Sequence, residues 1–241
     1  MAIPPSAVAS IEANSPMTAS YRRRLLRLLA NQAHGEMYGA MTYARGVQLA
    51  PSPEDKRLMA NLVGEEMEHW YGIVGLMKDL GVSPEQVRNH ETVTWFFIAV
   101  RIVSPRQTWL DTVMTNVLVD RAAYYLVEDG AQSSYAPWCR FARRILAEEQ
   151  QHRDLGLRFL GEQIERYGRP KMQRALNKWW RIVLNMFGAP RSKEKDRYLQ
   201  VGLRPRTNEE QRRAFRADFE PQVQQLGLAV PRLYRTVFPF L

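Results

Sequence analysis

Four carboxylates and two imidazoles in this chain are spaced as a pair of metal ions would need them. Glu66-x-x-His69 and Glu149-x-x-His152 each set a carboxylate and an imidazole three residues apart, which on a helix puts both on one face. Glu36 lies 30 residues before Glu66, and Asp120 lies 29 before Glu149. The chain therefore reads twice as helix with one carboxylate, connection, helix with Glu-x-x-His. That is the ligand recipe for a two-metal carboxylate site inside a four-helix bundle. These donors suit iron and manganese and, less well, zinc. Two divalent ions against four carboxylates and two neutral imidazoles leave a neutral centre, which a dry core tolerates. Without cations the same carboxylates would repel one another, lose solvation and resist ionisation. One Glu-x-x-His on a charged helix is usually a hydrated face. Two of them, each preceded at a matching interval by an inward carboxylate, need a common cause.

The neighbours of these six carry weaker signals. Glu65 and Glu148 directly precede the two ligand glutamates, about 100° round the helix. From there each could orient a ligand histidine or stand as a surface carboxylate, and the sequence leaves both open. Tyr124, one turn after Asp120, either packs in the core or lines a cavity as a hydrogen-bond donor. Glu68 falls off the ligand face, and His34 reads as a half-buried histidine and not as a ligand.

Helices must position these groups. The spacing predicts a first helix over about 21–47, capped by Thr18 or Ser20, and a second over about 54–80, opened at Ser52-Pro53 and stopped by Gly81. Residues 92–100 read equally as a buried extended stretch or a short core helix. A third helix is expected over about 108–130 and a fourth over about 136–166. An outer helix over about 170–187 carries Trp179-Trp180, basic loops fill 191–206, and a last helix opens at Thr207 or Asn208. The segment from Pro221 onward reads as a tail wrapping the bundle. The expected division is a loose arm over 1–18, the bundle with its packing helix over 19–190, and a C-terminal helix and tail over 191–241.

Composition sets the outer limits. With 45% apolar and 24% charged residues the 241-residue chain can build a large core and a soluble surface. No apolar run approaches the roughly 20 residues that cross a bilayer, and residues 1–16 lack the pattern of a secretory signal. Cys139 is the single cysteine, which excludes an internal disulfide and a thiolate metal site and fits a reducing cytoplasm. Net charge is +9, yet no nucleic-acid-binding module accompanies it. The expectation is a cytoplasmic protein with no membrane and no nucleic-acid partner.

Several segments carry a family likeness: Gln32-Ala-His-Gly-Glu36, Leu118-Val-Asp120-Arg-Ala-Ala, Ser134-Tyr-Ala-Pro137, Glu148-Glu-x-x-His152, Trp179-Trp, Met186-Phe-Gly188 and Pro221-Gln-Val-x-x-Leu-Gly-x-x-Val-Pro231. Through them the chain resembles the catalytic A subunits of the phenylacetyl-CoA epoxidases, in the phenylacetate-catabolism family of ferritin-like di-iron monooxygenases. The resemblance implies an all-α, ferritin-like four-helix bundle with additional C-terminal helices. It also implies two iron ions on Glu36, Glu66, His69, Asp120, Glu149 and His152, activation of O₂, and transfer of one oxygen atom to an aromatic acyl-CoA. Electrons would come from a separate reductase protein, and the partner would be a homologous metal-free subunit or a second copy. Two other readings stay open: a stand-alone di-iron or Mn/Fe oxidase or oxygenase acting on another small molecule, and a metal-binding scaffold subunit. Where the family reads Glu-Ala-Gly-His this chain has Glu66-Met-Glu-His69, and Arg121 follows Asp120 in place of a small residue.

Overall fold

The computed structural model describes residues 10–83, 85–86, 106–190 and 193–232, with side chains described throughout except over 193–196. His90 and the ambiguous stretch 92–100 lie outside the described residues. Helices account for the ordered backbone, and the described residues contain no strand, only one isolated bridge between Ile11 and Tyr135. In chain order the helices are α1 (Ala19–Leu49), α2 (Pro53–Asp79), α3 (Trp109–Met114), a π-helical segment (Thr115–Asp120), α4 (Arg121–Gly130), α5 (Ala136–Tyr167), α6 (Arg169–Leu184), α7 (Lys193–Gln200) and α8 (Asn208–Gln225).

Their ends follow local chemistry. The Thr18 side chain accepts the Tyr21 N–H at the start of α1. Ser52 does the same for Asp55 at the start of α2, with Pro53 in the first turn and Glu54 and Asp55 at the positive end of the helix dipole. Gly81, at φ 76°, closes α2 in a Schellman turn: its N–H bonds to Lys78 O at 2.8 Å and the Val82 N–H to Met77 O at 3.0 Å. Thr207 and Glu210 form a reciprocal capping box on α8.

Three elements depart from the sequence expectation. The third helix is helical from 109 to 130 but widens into a π-helix over Thr115–Asp120. Residues 193–200, expected as basic loop, form α7. Pro221, expected to open the tail, sits inside α8. A proline removes one helical hydrogen bond. Here Phe219 and Val223, both buried on either side of it, hold the helix through that gap.

The chain divides into two compact units. The first takes the described residues of Met1–Val93, Val127–Leu146 and Lys193–Pro205. Here α1 and α2 pack along each other, and the core runs through Leu25, Leu29, Ile73, Met77, Tyr135, Trp138 and Phe141. Gly72 makes this packing tight, because a Cβ there would lie 2.0 Å from the Phe141 ring. The described end of the N-terminal arm is tied down: Ile11 N donates to Ser134 O at 2.8 Å, and Ala136 N to Ile11 O at 2.9 Å.

The second unit takes the described residues of Thr94–Leu126, Ala147–Ser192 and Arg206–Leu241. Its core is aromatic, with the Phe215 ring against Trp180, Phe187 and Phe219, and Trp180 stacked on Phe219. Buried Asp111 joins α3 to α6, accepting from Lys178 Nζ at 2.5 Å and from Trp179 Nε1 at 2.8 Å. Arg212 of α8 donates to the carbonyl of Leu184, the last residue of α6, and to that of Gly188 just beyond it, satisfying groups the helix end leaves open.

Candidate metal centre

In the first unit, α1 and α2 each turn part of the expected ligand set inward. Both helices carry apolar residues at helical spacing, and the stripe on α2 (Met59, Leu62, Glu66, His69, Ile73, Met77) is buried along its whole length. Glu36, Glu66 and His69 are exposed by only 4%, 7% and 2%. One ligand atom from each lies within 4.8 Å of the others, and Glu36 Oε2 stands 3.6 Å from His69 Nδ1. Two buried carboxylates at that separation repel, so the arrangement is one that a cation stabilises. Hard oxygen donors with one imidazole are the donor chemistry of iron and manganese sites.

Room for Glu66 comes from Gly39. A Cβ at position 39 would lie 2.6 Å from Glu66 Oε2, closer than real contacts, so α1 leaves a slot at the point where the α2 carboxylate sits. The other Glu36 oxygen, Oε1, accepts the Gln32 Nε2–H at 2.9 Å.

In the second unit, Asp120, Glu149 and His152 are 4%, 3% and 3% exposed. Ligand atoms of Asp120 and His152 lie within 4.8 Å of each other. Asp120 is the last residue of the π-helical segment, all six of whose residues are buried. Wide π turns shift the register of the residues that follow an α-helix. Asn116, in the same segment, donates from Nδ2 to Asp120 Oδ2 at 2.8 Å. Helix α5 comes close enough to the segment that a Cβ on Gly156 would lie 2.8 Å from Asn116 O.

Arg121, directly after Asp120, is 1% exposed. It is ion-paired with Asp218 of α8, donates to the carbonyl of Arg153 at 3.0 Å, and lies 5.1 Å over the Phe219 ring. Burial pulls its guanidinium below the ordinary value and Asp218 opposes that shift. Since Arg153 follows His152, one buried cation joins the backbones beside two candidate ligands to the C-terminal helix.

Of the flanking residues, Tyr124 is buried with Arg153 4.6 Å above its ring. Glu65, Glu148 and Glu68 are exposed and His34 is half-buried. Sequence reasoning missed Gly39, Asn116 and the role of Gln32. The available signal was an amide four residues before each lone carboxylate, Gln32 before Glu36 and Asn116 before Asp120.

Comparisons with known proteins identify a family and a fold. The family model for "Phenylacetic acid catabolic protein" matches residues 1–236. The chain is 27% identical over 226 residues to the A subunit of 1,2-phenylacetyl-CoA epoxidase from Escherichia coli (strain K12), covering 92% of this chain and 73% of that protein. Among solved structures it is similar to a Synechococcus protein with aldehyde deformylating oxidase activity, with a TM-score of 0.70 and 16% identity, covering 88% of this chain and 93% of the other. The fold is all-α and ferritin-like, as expected from the sequence.

Proposed function

The chain belongs to the phenylacetic acid catabolic protein family, and on that premise we propose that it is the di-iron component of a multicomponent monooxygenase that oxygenates an aromatic acyl-CoA. The observation that carries this reading is the buried Glu36, Glu66 and His69 cluster in a chain of that family. That the chain is an oxidoreductase of the oxygenase type follows from its relatives; the substrate and the electron donor are the proposal.

Glu36, Glu66, His69, Asp120, Glu149 and His152 are the proposed ligands of two iron ions, with manganese as the competing occupant of the same donors. Two irons so held supply the redox chemistry by which O₂ is activated for transfer of one oxygen atom. The residues of the chain do the rest. Four carboxylates balance the charge of the cations, and burial of all six side chains keeps bulk water away, which strengthens each electrostatic contact. The Gly39 slot fixes where the Glu66 carboxylate can stand. Gln32 and Asn116 hold Glu36 and Asp120 by one oxygen each. The Arg121 clamp holds the backbone directly after Asp120 and directly after His152.

The sequence has no nucleotide-binding motif, and its single cysteine does not make up the ligand set of an iron–sulfur cluster. A separate reductase is the proposed donor. A homologous metal-free subunit or a second copy is the proposed structural partner. No helix among the described residues is long and apolar enough to cross a membrane.

The test is to load the chain anaerobically with Fe²⁺, add a reductase, phenylacetyl-CoA and ¹⁸O₂, and follow the product by mass spectrometry. About two iron per chain and one labelled oxygen atom per product are expected. Iron uptake without oxygenation of any member of an aromatic acyl-CoA panel overturns the substrate class. Failure to bind iron overturns the reading as a whole.

A further inference from the structure

Each of the two lone carboxylates has an amide one turn upstream that donates to it. Gln32 Nε2 lies 2.9 Å from Glu36 Oε1 on α1, and Asn116 Nδ2 lies 2.8 Å from Asp120 Oδ2 in the π-helical segment. The two pairs arise on different elements with different backbone geometry, yet they share the i, i+4 relation and the chemistry. We propose that Gln32 and Asn116 are positioning residues that occupy one oxygen of each lone carboxylate, so that Glu36 and Asp120 each present a single oxygen to a cation.

Asn116 gives the stronger half of the argument. It is fully buried, and its Oδ1 has no hydrogen-bond partner among the described residues. A leucine would fill a similar volume without stranding an acceptor, and stranded acceptors are costly. Packing therefore does not account for an amide at this place. Its one side-chain hydrogen bond among the described residues is to Asp120, and that bond accounts for it. Donation to a carboxylate also assigns the amide orientation, since the reversed amide would set oxygen against oxygen.

Gln32 shows what the bond achieves geometrically. With Glu36 Oε1 engaged by the amide, Oε2 is the oxygen that faces His69 Nδ1, 3.6 Å away. Glu36 itself belongs to the group of ligating residues shared with Glu66 and His69. A carboxylate free to rotate would offer either oxygen or both. Held by the amide it offers one, in one direction. Hydrogen bonds made outward from ligating side chains orient them and tune affinity in this way.

This inference rests on the two-metal reading of the site, and its test separates the two. Co²⁺ serves as the probe, because its visible bands report coordination number and geometry. The purified, metal-free full chain is titrated anaerobically with CoCl₂, alongside Gln32→Met, Asn116→Leu and the double variant. The wild type is expected to bind two Co²⁺. Each single variant is expected to lose roughly 10- to 100-fold in affinity for one of the two, with an altered spectrum for that ion, and the double variant for both. Metal-free melting temperatures are expected to stay within a few degrees of wild type, which a merely structural role would not spare. Gln32 is half-buried, so Gln32→Met remains informative even where Asn116→Leu fails to fold. Gln32→Glu, which keeps the length but replaces the donor with an anion, is expected to fail as Gln32→Met does. Unchanged affinity and spectra in Gln32→Met, with two Co²⁺ still bound by wild type, overturn the inference. A wild type that binds no Co²⁺ overturns the two-metal reading beneath it.

Discussion

At the scale of single residues, the site depends as much on side chains that are missing as on those that ligate. Gly39 bears no side chain, and the Glu66 carboxylate takes the space. Gly39→Ala is expected to leave a helical, soluble protein, since alanine is the better helix former, while displacing Glu66 and weakening iron binding roughly 10- to 100-fold. Isothermal titration with Fe²⁺ beside circular dichroism checks both halves, and wild-type affinity would mean that Glu66 does not need its slot. Arg121 makes the opposite case, a large cation where the family pattern has a small residue. Arg121→Met keeps the stem but breaks its bonds to Asp218 and to the Arg153 carbonyl. Asp218 is 24% exposed and can rehydrate, so a loss of about 2 kcal/mol is expected, read by urea unfolding. Weaker metal binding is expected with it, because Arg121 and Arg153 flank Asp120 and His152.

At the scale of elements, the π-helical segment and the Asp111 junction are where the chain departs from a plain helix bundle. Asp111 caps α3 through Thr108 while holding Lys178 and Trp179 of α6. Burial alone would raise its pKa, but the bonds from Lys178, Trp179 and Thr108 outweigh it, and the carboxyl lies below its ordinary value. A depressed carboxyl pKa means that stability is present above the unfolded value, near about 4, and is lost as pH falls through the lower folded value. Asp111→Asn is therefore expected to cost about 1–3 kcal/mol at neutral pH. The gap between wild type and variant is expected to close below about pH 4, as measured by chemical unfolding across pH. A gap that widens in acid would reverse the assigned sign.

At the scale of the whole molecule, a buried group of carboxylates ties stability to cation binding. A ligand held only by the folded state stabilises it by about 4 kcal/mol at a thousand times its Kd. For a chain of this length that corresponds to a rise in Tm of roughly 10 °C. Removing metal with a chelator is expected to lower Tm by that order, and adding Fe²⁺ or Mn²⁺ back to restore it. Calorimetry provides the check, and equal melting with and without metal would argue against a buried cation site. The net charge of +9 bears on the proposed reductase. If its docking face is acidic, electron delivery is expected to slow as salt screens the attraction, read as a fall in kcat/KM for the reductase.

The sequence by itself determined the helices other than α7, and the ligand candidates. Periodicity 3.6 with caps at Thr18, Ser52 and Thr207 is local information, and Glu-x-x-His is a local spacing, so both are legible one turn at a time. Inward burial of Glu36, Glu66, His69, Asp120, Glu149 and His152 followed from the same stripes. Only the tertiary structure decided the rest. The π turn that ends at Asp120 has no composition signal of its own, because it depends on what packs around it. Pro221 stays inside α8 because buried aromatic contact outweighs one lost hydrogen bond. Gly39 becomes a slot, and Arg121 a clamp, because of residues that stand 27 and 97 positions away along the chain. Spacing named the atoms that can hold a metal; close packing decided which neighbours hold those atoms still.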